Sequence, residues 1–547
     1  MQQEDNNKKI REIENKIDNY FLSHNLMQLP CSIAIQYLLI IYEEANRPPF
    51  LTGANILANQ TELVALLENN KSALTQSINW ASDSTQAVLE EIIIEVDENT
   101  CTKAGDFFFL ALSYNRAASA YTMWSRGVAK ATLVNTNTVR FEYSGEEERY
   151  DVLATRLHTE NVENFFAKDN CFDNIHMINA RTIIENSIEQ TSPYSINYST
   201  SGANYEEIIK FALEMVRSQT VPPTNWRFCD LTTECFERFW SALISICMLH
   251  QFALFHAATK MKMKGGAVAS TIIVHKMGNW VRQLSRWTGL SNQIVLQILK
   301  YHTYSTMHKK PDIAITPFIS ITKRHLTLAP TLITSSNLGR NLLKHLANNN
   351  SNEYDNNSFV FEDNMISKFS NSIKGKYFKI YPKFRIPDNK ELPDIDICLL
   401  DERNQQVMLC EFKWTIPAAE PYEILEKREK EAKALEQLDL LKEYFYDNPT
   451  KISEISKYDG KVLYKNMFFV GVLENCVGTA YMFNKDIPII EYSIFYKLLC
   501  ENESLEQLFK CIGERKFLPK KDVDFESKDI DLEIGDYKII WSGLVDK

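Results

Sequence analysis

At 547 residues the chain is too long for one hydrophobic core and implies about three domains, at about 150 residues each. A make-up of 45% hydrophobic and 24% charged residues is that of a globular protein and argues against global disorder. The net charge of -11 argues against a protein that coats nucleic acid along its length, while leaving room for a local basic groove.

Met1 to Asp18 is polar and charged, unlike a signal peptide. The eleven cysteines form no C-x-x-C pair, which speaks against a zinc site, and their odd number fits a reducing cytoplasm. From about 8 to 100 the spacing of Ile10, Ile13, Ile17 and Phe21 predicts helices, with turns at Asn46-Arg47-Pro48-Pro49 and Asn69-Asn70. Gly105 to Ser218 is mixed and mostly helical. Phe107 to Ala117 fits a strand or a helix, and Thr138 to Tyr143 alternates as a strand does.

Pro222-Pro223 marks a boundary, and Leu231 to Lys260 reads as a long buried helix. Its apolar stretch, Phe239 to Ala258, carries Ser241, His250, Gln251 and His256, so no membrane span is expected. Helices over Ser270 to Trp287 and Asn292 to His302 follow, with Trp280 and Trp287 on a packed face. Pro311 to Leu332 is strand-like. Asn348 to Asn352 and Asn356 to Ser358 are polar enough to be loops, and Glu431-Ala432-Lys433 lies in a charged run expected to be a solvated helix face. Past a helix at Ser504 to Ile512, Asp522 to Asp536 forms an acidic tail. No P-loop, H-E-x-x-H, G-x-S-x-G or dinucleotide fingerprint is present.

The segment that carries chemistry is Pro393-Asp394-Ile395-Asp396, followed by Glu411-Phe412-Lys413. Strands that alternate and then run apolar are expected over Asp394 to Leu400 and Val407 to Trp414, joined by the polar Asp401 to Gln406 as a hairpin connection. Residues two apart on a strand share a face, so Asp394 pairs with Asp396 and Glu411 with Lys413. If the faces coincide, carboxylates and one ammonium converge where a hard divalent cation and a water could be held.

These residues resemble the PD-(D/E)XK, or restriction-endonuclease-like, nuclease superfamily, over roughly Asn337 to Leu499. The resemblance implies an α+β and α/β multidomain protein in which a large, mostly α-helical N-terminal region precedes a restriction-endonuclease-like α/β core with a mixed central sheet. The expected division is 1–222 helical, 223–336 helical or mixed, 337–500 nuclease-like, and 501–547 helix and acidic tail. Phe359 to Ile366 looks like the first core helix, with Glu362 as a further acid. Lys433 to Tyr444 resembles the helix that brings Gln437, with Tyr444 behind it, towards substrate. Met467 to Leu473 and Ile487 to Ile490 look like the last core strands.

The implied activity is Mg2+-dependent hydrolysis of nucleic-acid phosphodiesters, with Mn2+ as substitute and DNA favoured over RNA. Asp396 and Glu411 would hold the metal with the backbone carbonyl of Phe412, and Asp394 as second acid. Lys413 would handle the nucleophilic water, with Glu362 and Gln437 assisting. Lys374, Lys376, Lys379, Lys383 and Arg385 are candidates for a basic groove ahead of the motif. The helical region would serve recognition, homo-oligomerisation or gating by a regulatory partner protein, in a restriction or antiphage setting. The competing expectation is a non-catalytic scaffold or DNA-binding assembly protein with a nuclease-like fold.

Overall fold

A computed structural model describes residues 2–51, 60–83, 91–168, 175–192, 195–199, 202–217, 219, 222–223, 226–228, 230–261, 269–308, 311–373, 377–386, 392–418, 423–424, 427–456, 462–475 and 486–547. The fold is mixed α and β, with several sheets embedded among helices.

The N-terminal helices are α1 (Gln2–Asp18), α2 (Cys31–Leu51), α3 (Gln60–Ser82) and α4 (Glu98–Ser125). Ile10, Ile13 and Ile17 bury one stripe of α1 against Ala117, Ala120 and Tyr121 of α4, as a 3.6-residue period requires. The turns expected at Asn46 to Pro49 and Asn69-Asn70 are helix instead. Asn70 donates to Asn46 at 2.9 Å, and Asn46 donates to the Tyr42 carbonyl at 2.7 Å. Two buried amides satisfy each other between α2 and α3, so their polarity marks an interface and not a turn. Phe107 to Ala117 lies within α4.

A hairpin of β1 (Ala129–Asn135) and β2 (Thr138–Tyr143) comes next, then α5 (Glu147–Lys168), α6 (Ile175–Glu185), β3 (Glu189–Ser192) with β4 (Ser195–Asn197), α7 (Gly202–Arg217), and β5 (Arg227–Phe228) with β6 (Leu231–Thr232). The expected long helix is α8 (Thr233–Thr259). It is the one described helix long and apolar enough to cross a membrane, yet 61% of its most apolar window is buried inside the fold, where it is the spine of the largest core.

The helix expected from Ser270 is in part a strand: Ile273 and Val274 belong to β7 (Ile273–Lys276), because β-branched residues suit a ladder. Then come α9 (Met277–Thr288), α10 (Asn292–Tyr301), β8 (Ile319–Thr322), β9 (His325–Leu328), α11 (Pro330–Thr334), α12 (Leu338–Asn349) and α13 (Ser351–Ser372). Strands β7, β9 and β8 form one antiparallel sheet. Trp280 is fully buried and Trp287 packs on Tyr205. Asn348 and Asn349 end α12 and Asn350 caps α13 by accepting from the Glu353 amide, so the first polar run is a junction between two helices. The second, Asn356 to Ser358, lies inside α13, where Asn357 donates to the Glu353 carbonyl.

The central five-stranded sheet has the order β10 (Lys379–Phe384), β11 (Ile395–Asp401), β12 (Gln406–Trp414), β13 (Met467–Glu474), β14 (Ile489–Glu491). β10, β11 and β12 are antiparallel, and β12, β13 and β14 are parallel. The crossover from β12 to β13 contains α14 (Arg428–Asp447). After β14 come α15 (Tyr492–Glu501) and α16 (Leu505–Gly513). One face of the sheet, with Ile397, Leu399, Met408, Cys410 and Phe412, packs on α13 and α15. The other, with Cys398, Leu400, Val407 and Leu409, packs on Leu438, Leu441 and Phe445 of α14. Near-continuous apolar strands are what a sheet covered on both faces demands.

Packing crosses the expected boundaries. Tyr150 and Leu153 of α5 belong to the core on the α13 face, and Leu338, Leu342 and Leu343 of α12 join the α8 core. The acidic tail is no tail: β15 (Phe525–Ile534) and β16 (Tyr537–Asp546) form a hairpin whose second strand pairs in parallel with β2. Its acids alternate outward while Leu532, Ile534 and Ile539 bury against α1 and α4. Glu431 is buried, contrary to the solvated face expected of it, whereas Lys433 is exposed.

Candidate active site

Pairing of Ile397 with Cys410 sets Asp396 opposite Glu411, and strand alternation places both on the α14 face with Lys413. Beyond that pair the Asp396 carboxylate takes over from the ladder: its Oδ2 accepts from the Phe412 amide at 2.8 Å. That bond fixes the carboxylate's direction. Glu411 is 2% exposed and its Oε1 accepts from the Lys413 ammonium. Glu362 reaches over the sheet end from α13 to lie 3.7 Å from the same ammonium. Thus Asp396, Glu411, Lys413 and Glu362 converge.

Two aromatic side chains explain how. Phe361 precedes Glu362 and Trp414 follows Lys413, and their rings stack at 4.2 Å and 15°. Both enter the core around α8, where Trp226 meets Phe361 edge-on at 5.4 Å. The helical body therefore holds the two elements that carry the cluster. Trp414→Ala is expected to lower stability by about 3 kcal/mol and to reduce activity through lost positioning, measured by thermal unfolding beside an activity assay. A second hold comes from α12: Arg340 donates to the Pro417 carbonyl at 2.8 Å and to Glu423 at 2.6 Å, with Lys344 2.8 Å from the same carboxylate. These contacts pin the segment leaving β12.

Three carboxylates share one buried ammonium. Burial, then the neighbouring Asp396 charge, push the Glu411 carboxyl up to about 8 against the pull of Lys413. Burial likewise raises Asp396 and Glu362. Burial alone would lower Lys413, but Glu411, Glu362 and Asp396 outweigh it and hold the ammonium protonated. Among the charges acting on Asp396 is Lys383 of β10, and among those on Glu362 is Lys430 at the start of α14. Neither was singled out by the motif, although Lys383 belongs to the basic run ahead of it.

Asp394 is not brought to the cluster. It lies outside β11, about half exposed, in a two-bond pair with Arg385 at 2.7 and 2.9 Å. An exposed pair of this kind contributes about 0–1 kcal/mol. Asp394→Ala is therefore expected to leave turnover within about threefold of wild type, a kinetic comparison that separates it from Asp396. Gln437, half-buried in α14, makes no hydrogen bond to the cluster among the described residues. Tyr444 packs on the α14 side of the sheet. Of the expected groove, Lys374 and Lys376 lie outside the described residues, while Lys379 pairs with Glu402 and Lys383 with Asp363.

The donor set fits a small hard cation in one respect that geometry makes plain. Glu411 Oε2 is buried and accepts no hydrogen bond; its neighbour is the Asp396 carboxylate, which Glu411 bonds when a proton lies between the two acids, and a cation can take that proton's place. Among the described residues no three His, Cys, Asp or Glu side chains form a full cage. Mg2+ does not require one, because it binds through one or two carboxylates and keeps waters or substrate phosphates for the rest. No family model, curated protein or solved structure matches this chain.

Proposed function

We propose that this protein is a metal-dependent nuclease that hydrolyses phosphodiester bonds of nucleic acid, DNA ahead of RNA, in the cytoplasm. The observation that carries the reading is the convergence of Asp396, Glu411 and Glu362 on Lys413, with a buried Glu411 oxygen left without a donor. The order around it supports the same reading: a helix carrying Glu362, three antiparallel strands carrying Asp396 and Glu411, a helix, and a parallel strand. Those are the elements that likeness to the PD-(D/E)XK nucleases calls for.

In this reading Asp396 and Glu411, with the Phe412 carbonyl, hold Mg2+ or Mn2+. When bound, that cation would neutralise charge on the scissile phosphate and make the attacking water more acidic. Lys413, kept protonated by its three acids, orients that water and offsets charge growing on the phosphate. Glu362 holds the ammonium from the far side. Removal of Asp394 from the ligand set leaves two carboxylates, which is the Mg2+ pattern. Regulation by self-association or a partner protein, and a restriction or antiphage role, belong to the same proposal.

The test incubates plasmid, linear duplex and RNA with the full-length protein in Mg2+, in Mn2+ and in EDTA. Divalent-dependent cleavage of any of them supports the reading. Binding without cleavage in all conditions favours the scaffold alternative.

A further inference from the structure

Lys383 stands apart from the other lysines near the cluster. Pairing of Pro382 with Ile397 and of Phe384 with Ile395 sets it opposite Asp396, in the row that continues to Glu411. Its φ is +49°, the left-handed region that long side chains seldom adopt. Among the described residues, the other non-glycine positions with positive φ (Asp230, Gln405, Asn475, Arg515 and Asp522) lie outside the strands, and Lys383 alone is within one. Such backbone strain persists where surrounding structure imposes it, and it gathers at working sites.

The consequence is geometric. Continued alternation from Lys379 and Tyr381 would send residue 383 down the α14 face. The left-handed residue breaks the pleat and turns the ammonium across the sheet end to Asp363, the residue after Glu362. The side chain is still 55% exposed, and β10 is the edge strand of its sheet. A cation is thus held at the open rim of an acid cluster, by a carboxylate that competes for it.

We propose that Lys383 grips a backbone phosphate of the nucleic acid on the β10 side of Asp396, exchanging Asp363 for that phosphate when substrate binds. This rests on the nuclease reading and adds a substrate contact to it. Lys383 is a binding residue, so its loss acts on KM and leaves kcat in place. Asp363 is its competitor, so Asp363→Asn acts in the opposite sense.

The experiment measures cleavage kinetics in Mg2+ on a short labelled DNA duplex and on the matching RNA, across a salt series. Lys383→Ala should raise KM about tenfold with kcat unchanged. It should also lower the slope of log(kcat/KM) against log salt by about 0.9, the signature of one lost phosphate contact. Lys383→Arg should restore both. Lys383→Gly, which removes the ammonium while suiting the left-handed backbone, should match Lys383→Ala, so misfolding is not the cause. Asp363→Asn should lower KM, and Lys528→Ala, on β15 away from the cluster, should change nothing. A wild type that cuts with KM and salt slope indifferent to Lys383 overturns this inference alone. A wild type that cuts neither polymer removes the nuclease reading and this role with it.

Discussion

Lys413→Ala is expected to slow phosphodiester cleavage by about 10²- to 10³-fold, the usual cost of losing a group that places a nucleophile and stabilises developing charge. It should also destabilise the protein in EDTA at pH 8 by about 3 kcal/mol, because removing one member of a buried charge pair strands the others. Among the described residues Lys413 is the one cation in contact with Glu411, at 2% exposure, and it also faces Glu362. Protonation of those acids at low pH removes the repulsion, so the loss of stability should shrink towards pH 5. Thermal unfolding in EDTA at the two pH values reads this directly.

Glu411→Gln should lose activity as fully, yet change stability the other way. The folded protein keeps the Glu411 proton up to about pH 8, whereas an unfolded glutamate releases it near about 4.3. The contribution is therefore fully present below the lower value and is lost as pH rises through the upper one. Wild type in EDTA should lose on the order of 5 kcal/mol across that window, and Glu411→Gln, which lacks that carboxyl and keeps only the smaller contributions of Asp396 and Glu362, should lose less. Above pH 8 the inactive variant should unfold at the higher temperature. Divalent ions should raise the melting temperature of wild type and leave that of the variant unmoved. The two substitutions together separate chemistry from folding: both slow cleavage severely, and their stabilities diverge.

Much of the site lay open in the sequence because strand alternation is a strong local rule. Spacing alone puts Glu411 and Lys413 on one face, and of the two aspartates only Asp396 lies within the paired strand. Asp394 was drawn in by its place beside Pro393, but a residue before the strand is not held by the pleat and was free to meet Arg385. The stack of Phe361 on Trp414 and the hold of Arg340 on Glu423 had no local signature, because each joins residues 53 and 83 positions apart through tertiary packing.

The same limit explains the errors in the fold. Asn46 and Asn70 look like turn residues until each is seen to be the other's partner. Glu431 sits in a run of charges that periodicity assigns to solvent, yet α14 begins against the N-terminal body, where Arg428 donates to the Arg126 carbonyl. The acids from Asp522 onward suggest an open tail because β15 alternates them with buried Leu532 and Ile534, and its partner strand joins β2, 400 positions away as in the pairing of Lys538 with Thr138. Long-range strand pairing leaves no mark within a short window.

The most direct measurement is single-turnover cleavage of a labelled DNA duplex by wild type and Asp396→Ala, each with Mg2+ and with EDTA. Wild type should cut only with Mg2+, and Asp396→Ala should be slower by at least about a hundredfold. Equal rates in the two proteins, or cleavage that persists in EDTA, would contradict a metal-dependent site built on Asp396 and Glu411.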